Sequence, residues 1–187
     1  AFAQQAATAG YLCLTFDLRG HGESTGGPEG HKDHEKADWL KTRADLRAAC
    51  GALAEAGASV DDLALAGEDL GANLALLHAR ESRMVQAVVL VSPGLNYGGI
   101  RTEPVLAHLR KVPVLLLAAE NDAYAAGSAT ALKQTAPGFC ELHLYEGAAH
   151  GADLLAASAN ARRQILDWLG AIIGPHRAET AGRGAAG

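Results

Sequence analysis

A five-residue segment near the middle of the chain has the spacing of a turn that presents a reactive side chain. Gly67 and Gly71 flank Asp69, each separated from it by one residue, between an apolar run and a helical pattern. In the G-x-S-x-G form of this turn the apex residue is a serine that attacks acyl groups. A carboxylate at the apex needs no base to activate it, and its attack on an sp³ carbon gives an alkyl ester of the protein. If Asp69 is a nucleophile, its chemistry is therefore not that of a simple esterase.

Two further groups follow Asp69 in the order nucleophile, acid, histidine. Asp122 comes just after an apolar run, and His150 lies in a loop between Gly147 and Gly151. The glycines let the loop turn the imidazole toward the apex residue, where it would activate water to hydrolyse an ester. Asp122 would hold the second ring nitrogen, and it also has the position of a helix N-cap. Asp69, Asp122 and His150 are thus the candidate catalytic residues.

Strands and helices must bring these residues together, and the chain alternates between the two patterns. Apolar runs predict strands at 11–16, 63–67, 87–91, 113–117 and 139–145. Helical spacing predicts helices at 1–9, 35–56, 72–80, 124–135 and 154–173. Such alternation favours an α/β fold with a mostly parallel sheet flanked by helices, whose reactive groups gather at the carboxyl ends of the strands. The alternating polarity of 139–145 indicates an edge strand.

Composition excludes several classes of function. A chain of 187 residues suits one domain, which we expect at 1–174 with a disordered tail at 175–187. The net charge of −5 argues against a nucleic-acid surface, and no apolar run reaches the ~18 residues of a membrane span. The three cysteines have no metal-ligand spacing, which favours reduced thiols in the cytoplasm. We expect a small-molecule substrate and no metal or cofactor.

Three segments together resemble the α/β-hydrolase superfamily. The run Phe-Asp-Leu-Arg-Gly-His-Gly-Glu-Ser at 16–24 is similar to its D-x-R-G-H-G-x-S signature, 67–71 to its nucleophile elbow and 147–151 to its histidine loop. The segments at 72–76 and 91–95 are similar to capless bacterial hydrolases related to esterases and dienelactone hydrolases. Those proteins usually carry serine at the elbow. The resemblance implies an α/β-hydrolase fold and a hydrolase.

The same resemblance implies parts that lie outside this chain. The N–H of Leu70 would be one donor to an oxyanion, and the second would come from a loop upstream of Ala1. Three strands should also precede Ala1, one of which would lie between the predicted strands at 11–16 and 63–67. We therefore expect a sheet that lacks its N-terminal strands here, and roughly 60–90 further residues in the intact protein.

Two interpretations of Asp69 stay open. Haloalkane dehalogenases and epoxide hydrolases use aspartate at the elbow, but they follow it with tryptophan and carry a helical cap. Here Leu70 follows, and the segment 93–112 is too short for such a cap and supplies Tyr97 as its only phenol. In the other interpretation the scaffold has lost its serine. Aspartate tolerates the turn conformation, two carboxylates hold His150 as imidazolium, and the protein binds small molecules with little or no turnover.

Other polar residues have simpler explanations. His21 lies in the turn after the first predicted strand, where we expect a structural role near the site. His31 and His34 have no partner cluster and fit a solvated helix start better than a metal site. Glu68 is expected to be a turn residue, and Ser92 lacks the spacing of an elbow nucleophile.

Overall fold

A parallel sheet with helices on both faces organises the part of the chain that the computed structural model describes, residues 2–26, 35–59 and 61–174. The strands are β1 (Leu63–Glu68), β2 (Val85–Val91), β3 (Asn96–Tyr97), β4 (Ile100–Arg101), β5 (Val114–Ala119) and β6 (Cys140–Tyr145). The helices are α1 (Phe2–Thr8), α2 (Lys36–Glu55), α3 (Leu70–Glu81), α4 (Glu103–Leu106), α5 (Ala123–Thr135), α6 (Ala152–Ala157) and α7 (Ala159–Ile172). The main sheet has the order β1-β2-β5-β6, with every neighbouring pair parallel. The predicted α/β fold is confirmed.

The two central strands are apolar at nearly every position because both of their faces are covered. On β2, Val88 and Leu90 pack into a core formed with α3 and α5, whereas Val89 and Val91 pack into a second core formed with α7. Each of these side chains is almost completely buried, which stabilises the fold by about 1.5–3 kcal/mol per large apolar side chain. β6 lies at an edge of the sheet as predicted. Its burial does not follow the predicted alternation, because Cys140 is buried and Leu144 is exposed although both belong to the apolar set of the strand.

The predicted strand at 11–16 is wrong. This segment pairs with no strand of the described chain, and Leu12, Leu14 and Phe16 are exposed. A cleft of about 1350 Å³ is lined both by this segment and by β1. Backbone N–H and C=O groups form a strand only where a partner lies within hydrogen-bonding distance, and among the described residues β1 pairs with β2 alone. The apolar pattern alone therefore did not establish strand pairing.

The predicted closing helix at 154–173 is two helices. Ser158 separates α6 from α7 with extended backbone angles (φ −109°, ψ 103°), and its hydroxyl accepts a hydrogen bond from the Ala161 N–H at 3.0 Å. Serine favours an N-cap over a helix interior because its side chain replaces the missing backbone acceptor. The break lets α6 begin directly after His150. No helix within the described ranges is long and apolar enough to cross a membrane.

The turn from β1 to α3 has the sharp geometry expected at its apex. Asp69 adopts φ 51° and ψ −123°. At Gly67 a Cβ atom would lie 2.3 Å from the Gly71 carbonyl oxygen, so the start of α3 approaches β1 too closely for any other residue. At Gly71 a Cβ atom would meet nothing within 4 Å. The close approach of α3 to β1 therefore requires glycine at position 67 but not at position 71.

This asymmetry predicts opposite effects of two alanine substitutions. We expect Gly67→Ala to lower the free energy of unfolding by about 1–3 kcal/mol, because the turn must move to admit the methyl group. Gly71→Ala should leave it unchanged or raise it by up to about 1 kcal/mol, because alanine favours a helix over glycine. Urea titration followed by circular dichroism measures both, and equal losses would contradict the close approach at Gly67.

Candidate active site

Asp69 stands at the carboxyl end of β1, where the turn presents its side chain to solvent. Its N–H donates to the carbonyl of Val91, the last residue of β2, at 3.0 Å. Half of its side-chain surface is exposed. Asp69 precedes Leu70, the first residue of α3, whose N–H is among the first four of the helix that lack an intrahelical acceptor. The apex carboxylate and the N–H of Leu70, the candidate oxyanion donor, thus both lie at the start of α3.

The structure brings Asp122 and His150 to the same place. Asp122 follows β5 as the N-cap of α5, and its side chain accepts a hydrogen bond from the Ala125 N–H at 3.4 Å. Its Oδ2 atom also lies 2.5 Å from Nδ1 of His150, so the capping and histidine-orienting roles coexist. The Nε2 atom of the imidazole lies 3.6 Å from Oδ1 of Asp69. That distance is within reach of an ion pair and somewhat longer than a hydrogen bond.

The two carboxylates determine the protonation of the imidazole. Burial by itself lowers the pKa of His150, but the hydrogen bond and charge of Asp122, together with the charge of Asp69, outweigh it. The pKa of His150 therefore lies above its usual value of about 6.5. Because Nδ1 faces Asp122, Nε2 is the nitrogen that exchanges a proton on the Asp69 side.

Tyr97 forms one wall of the site. Its ring meets the edges of His150 and Tyr124, with centroids 6.5 and 5.4 Å apart. The pKa of the Tyr97 phenol is raised chiefly by burial. The negative charges of Asp69 and Asp122 and a hydrogen bond to Asp69 raise it further. The phenol consequently keeps its proton near neutral pH, and the site has an O–H donor beside the apex carboxylate.

Tyr97 is carried by a short hairpin that sequence reasoning did not predict. Within the segment 93–112, β3 and β4 pair antiparallel and α4 follows. Asn73 of α3 holds this hairpin, since its side chain donates to the Ile100 carbonyl at 2.9 Å and accepts from the Gly94 N–H at 3.3 Å. A Cβ atom at Gly94 would lie 2.5 Å from the Tyr97 ring. The sequence signal for this contact was Asn73, a single amide in an otherwise apolar turn of the helix. Buried polar groups are rarely left unpaired, so such an amide indicates a partner elsewhere in the chain.

The remaining sequence candidates lie beside this cluster or outside the described residues. His21 lies against Trp39, with ring centroids 5.7 Å apart, and its Nδ1 is 3.2 Å from the Arg19 carbonyl. The side chain of Glu68 lies beside Gly151. These contacts place both residues in the scaffold around the site.

The histidine pair His31 and His34 falls outside the described residues. Among the residues that are described, no cluster of three or more histidine, cysteine, aspartate or glutamate side chains has the arrangement of a metal site.

Comparison with known protein folds gives close structural neighbours at low identity. The chain is similar to DcsB, solved in complex with its substrate analogue, with a TM-score of 0.77, 16% identity and coverage of 92% of this chain and 84% of that one. It is similar to GrgF, an α/β hydrolase of a Penicillium species, with a TM-score of 0.75, 16% identity and coverage of 91% and 83%. It is also similar to an esterase of Pyrococcus furiosus, with a TM-score of 0.70, 17% identity and coverage of 92% of this chain and 76% of that one. At such identities the likeness establishes the fold.

Sequence comparison establishes the family. No curated protein sequence matches the chain, but residues 1–111 match the family described as serine aminopeptidase, S33. The matched segment contains the whole β1–α3 turn, with Asp69 at its apex. Since the match spans more than half of the chain and the structure has the corresponding fold, the chain is an α/β-fold hydrolase that belongs to the serine aminopeptidase S33 family.

Proposed function

We propose that this protein hydrolyses a small-molecule substrate at an sp³ carbon, with Asp69 as the nucleophile and His150 as the base that completes the reaction. The observation that carries the proposal is the placement of one imidazole between two carboxylates, 2.5 Å from Asp122 and 3.6 Å from Asp69. A serine nucleophile would need that histidine to remove its proton, whereas Asp69 does not. The histidine is therefore available for the second step.

In the first step a carboxylate oxygen of Asp69 attacks the carbon that bears the leaving group. The carbon–oxygen bond forms as the bond to the leaving group breaks, and the leaving group departs with the electron pair. The exposed half of the Asp69 side chain leaves room for this approach. The Tyr97 phenol, protonated beside Asp69, is suited to donate a hydrogen bond to the negative charge that develops on a leaving oxygen or halide.

In the second step water attacks the carbonyl carbon of the ester on Asp69. Nε2 of His150 takes the proton of this water, and the Asp122 carboxylate stabilises the imidazolium that results. The Leu70 N–H is positioned next to the carbonyl whose oxygen becomes negative. Collapse of the intermediate releases the product alcohol, which takes up the proton, and one oxygen of Asp69 now comes from water.

An alkyl substrate fits this site better than an acyl one. Attack of a carboxylate on an ordinary ester forms a mixed anhydride, which is less stable than the ester from which it came. Attack on an alkyl halide or an epoxide forms a stable ester that requires an activated water for its cleavage. His150, oriented by Asp122, would activate that water. The substrate class is therefore an electrophilic carbon with a leaving group.

A second function, binding without turnover, is favoured by the same electrostatics. The raised pKa of His150 keeps part of the imidazole protonated near neutral pH, and an imidazolium is no base. With Asp69 and Asp122 it forms a charged cluster that suits a polar ligand. This function predicts saturable binding of a small molecule with no product.

Hydrolysis in ¹⁸O-labelled water distinguishes the two proposed functions. In a single turnover in ¹⁸O-water, with panels of alkyl halides and epoxides, we expect one ¹⁸O atom in the Asp69 carboxylate, detected by mass spectrometry of the peptide that contains it. In His150→Gln the alkyl ester on Asp69 should accumulate, because no base activates the water. Product formed with an unlabelled Asp69 would contradict the proposed reaction, and saturable binding without product would support the second function.

The ionisation of His150 tests the role of Asp122. We expect Asp122→Asn to lower the pKa of His150 toward about 6.5, because it removes the hydrogen-bonded charge while asparagine preserves the N-cap of α5. NMR titration of the ring protons measures the shift. Glu141→Gln removes an equal charge beside His143 and should leave the pKa of His150 unchanged. An unaltered pKa in Asp122→Asn would count against the assigned hydrogen bond.

The raised pKa also fixes the direction of two pH dependences. The stability that the imidazolium ion pairs contribute is complete below the unfolded pKa of about 6.5 and is lost as the pH rises through the higher folded pKa of His150. Activity should rise with pH, because the second step needs the neutral base. Unfolding and rate profiles on the same samples measure both trends.

The phenol of Tyr97 is tested by removing its oxygen. We expect Tyr97→Phe to lower kcat/KM by about 100-fold, the usual loss for one donor to a developing negative charge. Tyr124→Phe is the matched control, because its hydroxyl bonds to the Asn96 backbone and should affect hairpin stability more than rate. Equal losses of kcat/KM in the two variants would assign Tyr97 a packing role only.

A further inference from the structure

We propose that Ser92 is a positioning residue, which sets the separation of His150 and Asp69 by holding the histidine loop against the end of β2. The sequence context of Ser92 showed no role for it, and the kinetic consequence of its hydrogen bond to Gly151 rests on the proposed function. Its structural consequence, the placement of the imidazole, does not.

Ser92 has an unusual backbone for its residue type. It follows β2 directly, is completely buried and adopts φ 48°. Among the described residues other than glycine, only Ser92 and Asp69 have positive φ angles. Serine rarely adopts this conformation, and such outliers persist where the surroundings hold them in place. Here the Ser92 N–H donates to the Leu117 carbonyl of β5 at 2.7 Å, which anchors the strained backbone.

The hydroxyl of Ser92 reaches across the sheet to the histidine loop. Its Oγ accepts a hydrogen bond from the N–H of Gly151 at 2.9 Å, in a buried contact between residues 59 positions apart. Gly151 follows His150 directly, adopts φ 53° and is the N-cap of α6. The Leu154 N–H in turn donates to the Gly151 carbonyl at 3.1 Å. Ser92 therefore holds the backbone from which the imidazole extends.

The same strand end holds the nucleophile. Val91, the neighbour of Ser92, accepts the Asp69 N–H at 3.0 Å. Two adjacent residues of one strand end thus bind the backbone of Asp69 and the backbone next to His150. The 3.6 Å between Asp69 Oδ1 and His150 Nε2 is set through these two hydrogen bonds. Loss of the Ser92 hydroxyl would free only the histidine side of this arrangement.

A positioning role differs from a structural one in its effect on the imidazole. The charged and titratable groups that face His150 are Asp69, Asp122 and Tyr97, with Glu68 beside the turn. If the loop moves, the distances from the imidazole to the two aspartates change and the pKa of His150 changes with them. If the Ser92 hydroxyl only pairs a buried N–H, its removal would lower the stability of the fold. The pKa of His150 in the molecules that remain folded would then be unchanged.

The test compares Ser92→Ala with Ser92→Gly and with Ser128→Ala. We expect both Ser92 variants to shift the pKa of His150 toward about 6.5 by NMR titration, and to lower kcat by about 10-fold or more with a smaller change in KM. Glycine accepts the φ of Ser92 without strain, so Ser92→Gly reports loss of the hydroxyl where Ser92→Ala folds poorly. Ser128 is an equally buried serine whose hydroxyl accepts the Leu95 N–H at 3.1 Å, and Ser128→Ala should not shift that pKa.

The outcomes distinguish this inference from the proposed reaction. A wild-type pKa of His150 in a folded Ser92 variant would overturn the positioning role, as would an equal shift in Ser128→Ala. A shifted pKa in the Ser92 variants, in a protein whose Asp69 never takes up ¹⁸O, would uphold the positioning role and refute the reaction.

Discussion

The parallel register of four strands is the constraint on which the rest of this site depends. Glu68 of β1 pairs with Val91 of β2, which pairs with Leu117 of β5, and Ala119 pairs with Tyr145 of β6. These pairings align the carboxyl ends of all four strands along one edge of the sheet. The candidate catalytic residues Asp69, Asp122 and His150 lie one, three and five residues after the ends of β1, β5 and β6. Side chains more than 80 positions apart in the chain therefore meet without any long connecting loop. Strand pairing thus brings the residues of the site together, and the loops after the strands orient their side chains.

Electrostatics then determines what the assembled residues can do. An imidazole between two carboxylates is stabilised in its charged form, so a smaller fraction of it is the neutral base at a given pH. The aspartate at the apex supplies the second of these carboxylates. In the proposed reaction this aspartate needs no base in the first step, so the histidine would act only in the second. The β3–β4 hairpin adds one protonated phenol from a segment too short to enclose the substrate.

Sequence reasoning succeeded where a pattern reports a local preference. Apolar runs located β1, β2, β5 and β6 to within two residues at each end, and glycine spacing located the apex of the turn. Sequence reasoning failed where the outcome depends on a partner elsewhere in the chain. The segment 11–16 has the apolar content of a strand but pairs with no strand among the described residues. The two-residue strands of the hairpin are too short to form a pattern, and they exist because Asn73 binds Ile100 and Gly94.

The sequence by itself determined the class of fold, the order of the three candidate catalytic residues and the identity of the apex side chain. These follow from composition, periodicity and residue type, which are properties of neighbouring positions. The chain order predicted that Asp122 would orient His150, whereas tertiary structure alone decided the 2.5 Å between their atoms, the place of Tyr97 beside Asp69, and the contact of Ser92 with Gly151. Each of these contacts joins residues 28 or more positions apart. No local pattern encodes such a contact, because it exists only once the strands have paired in register and brought both partners to the same edge.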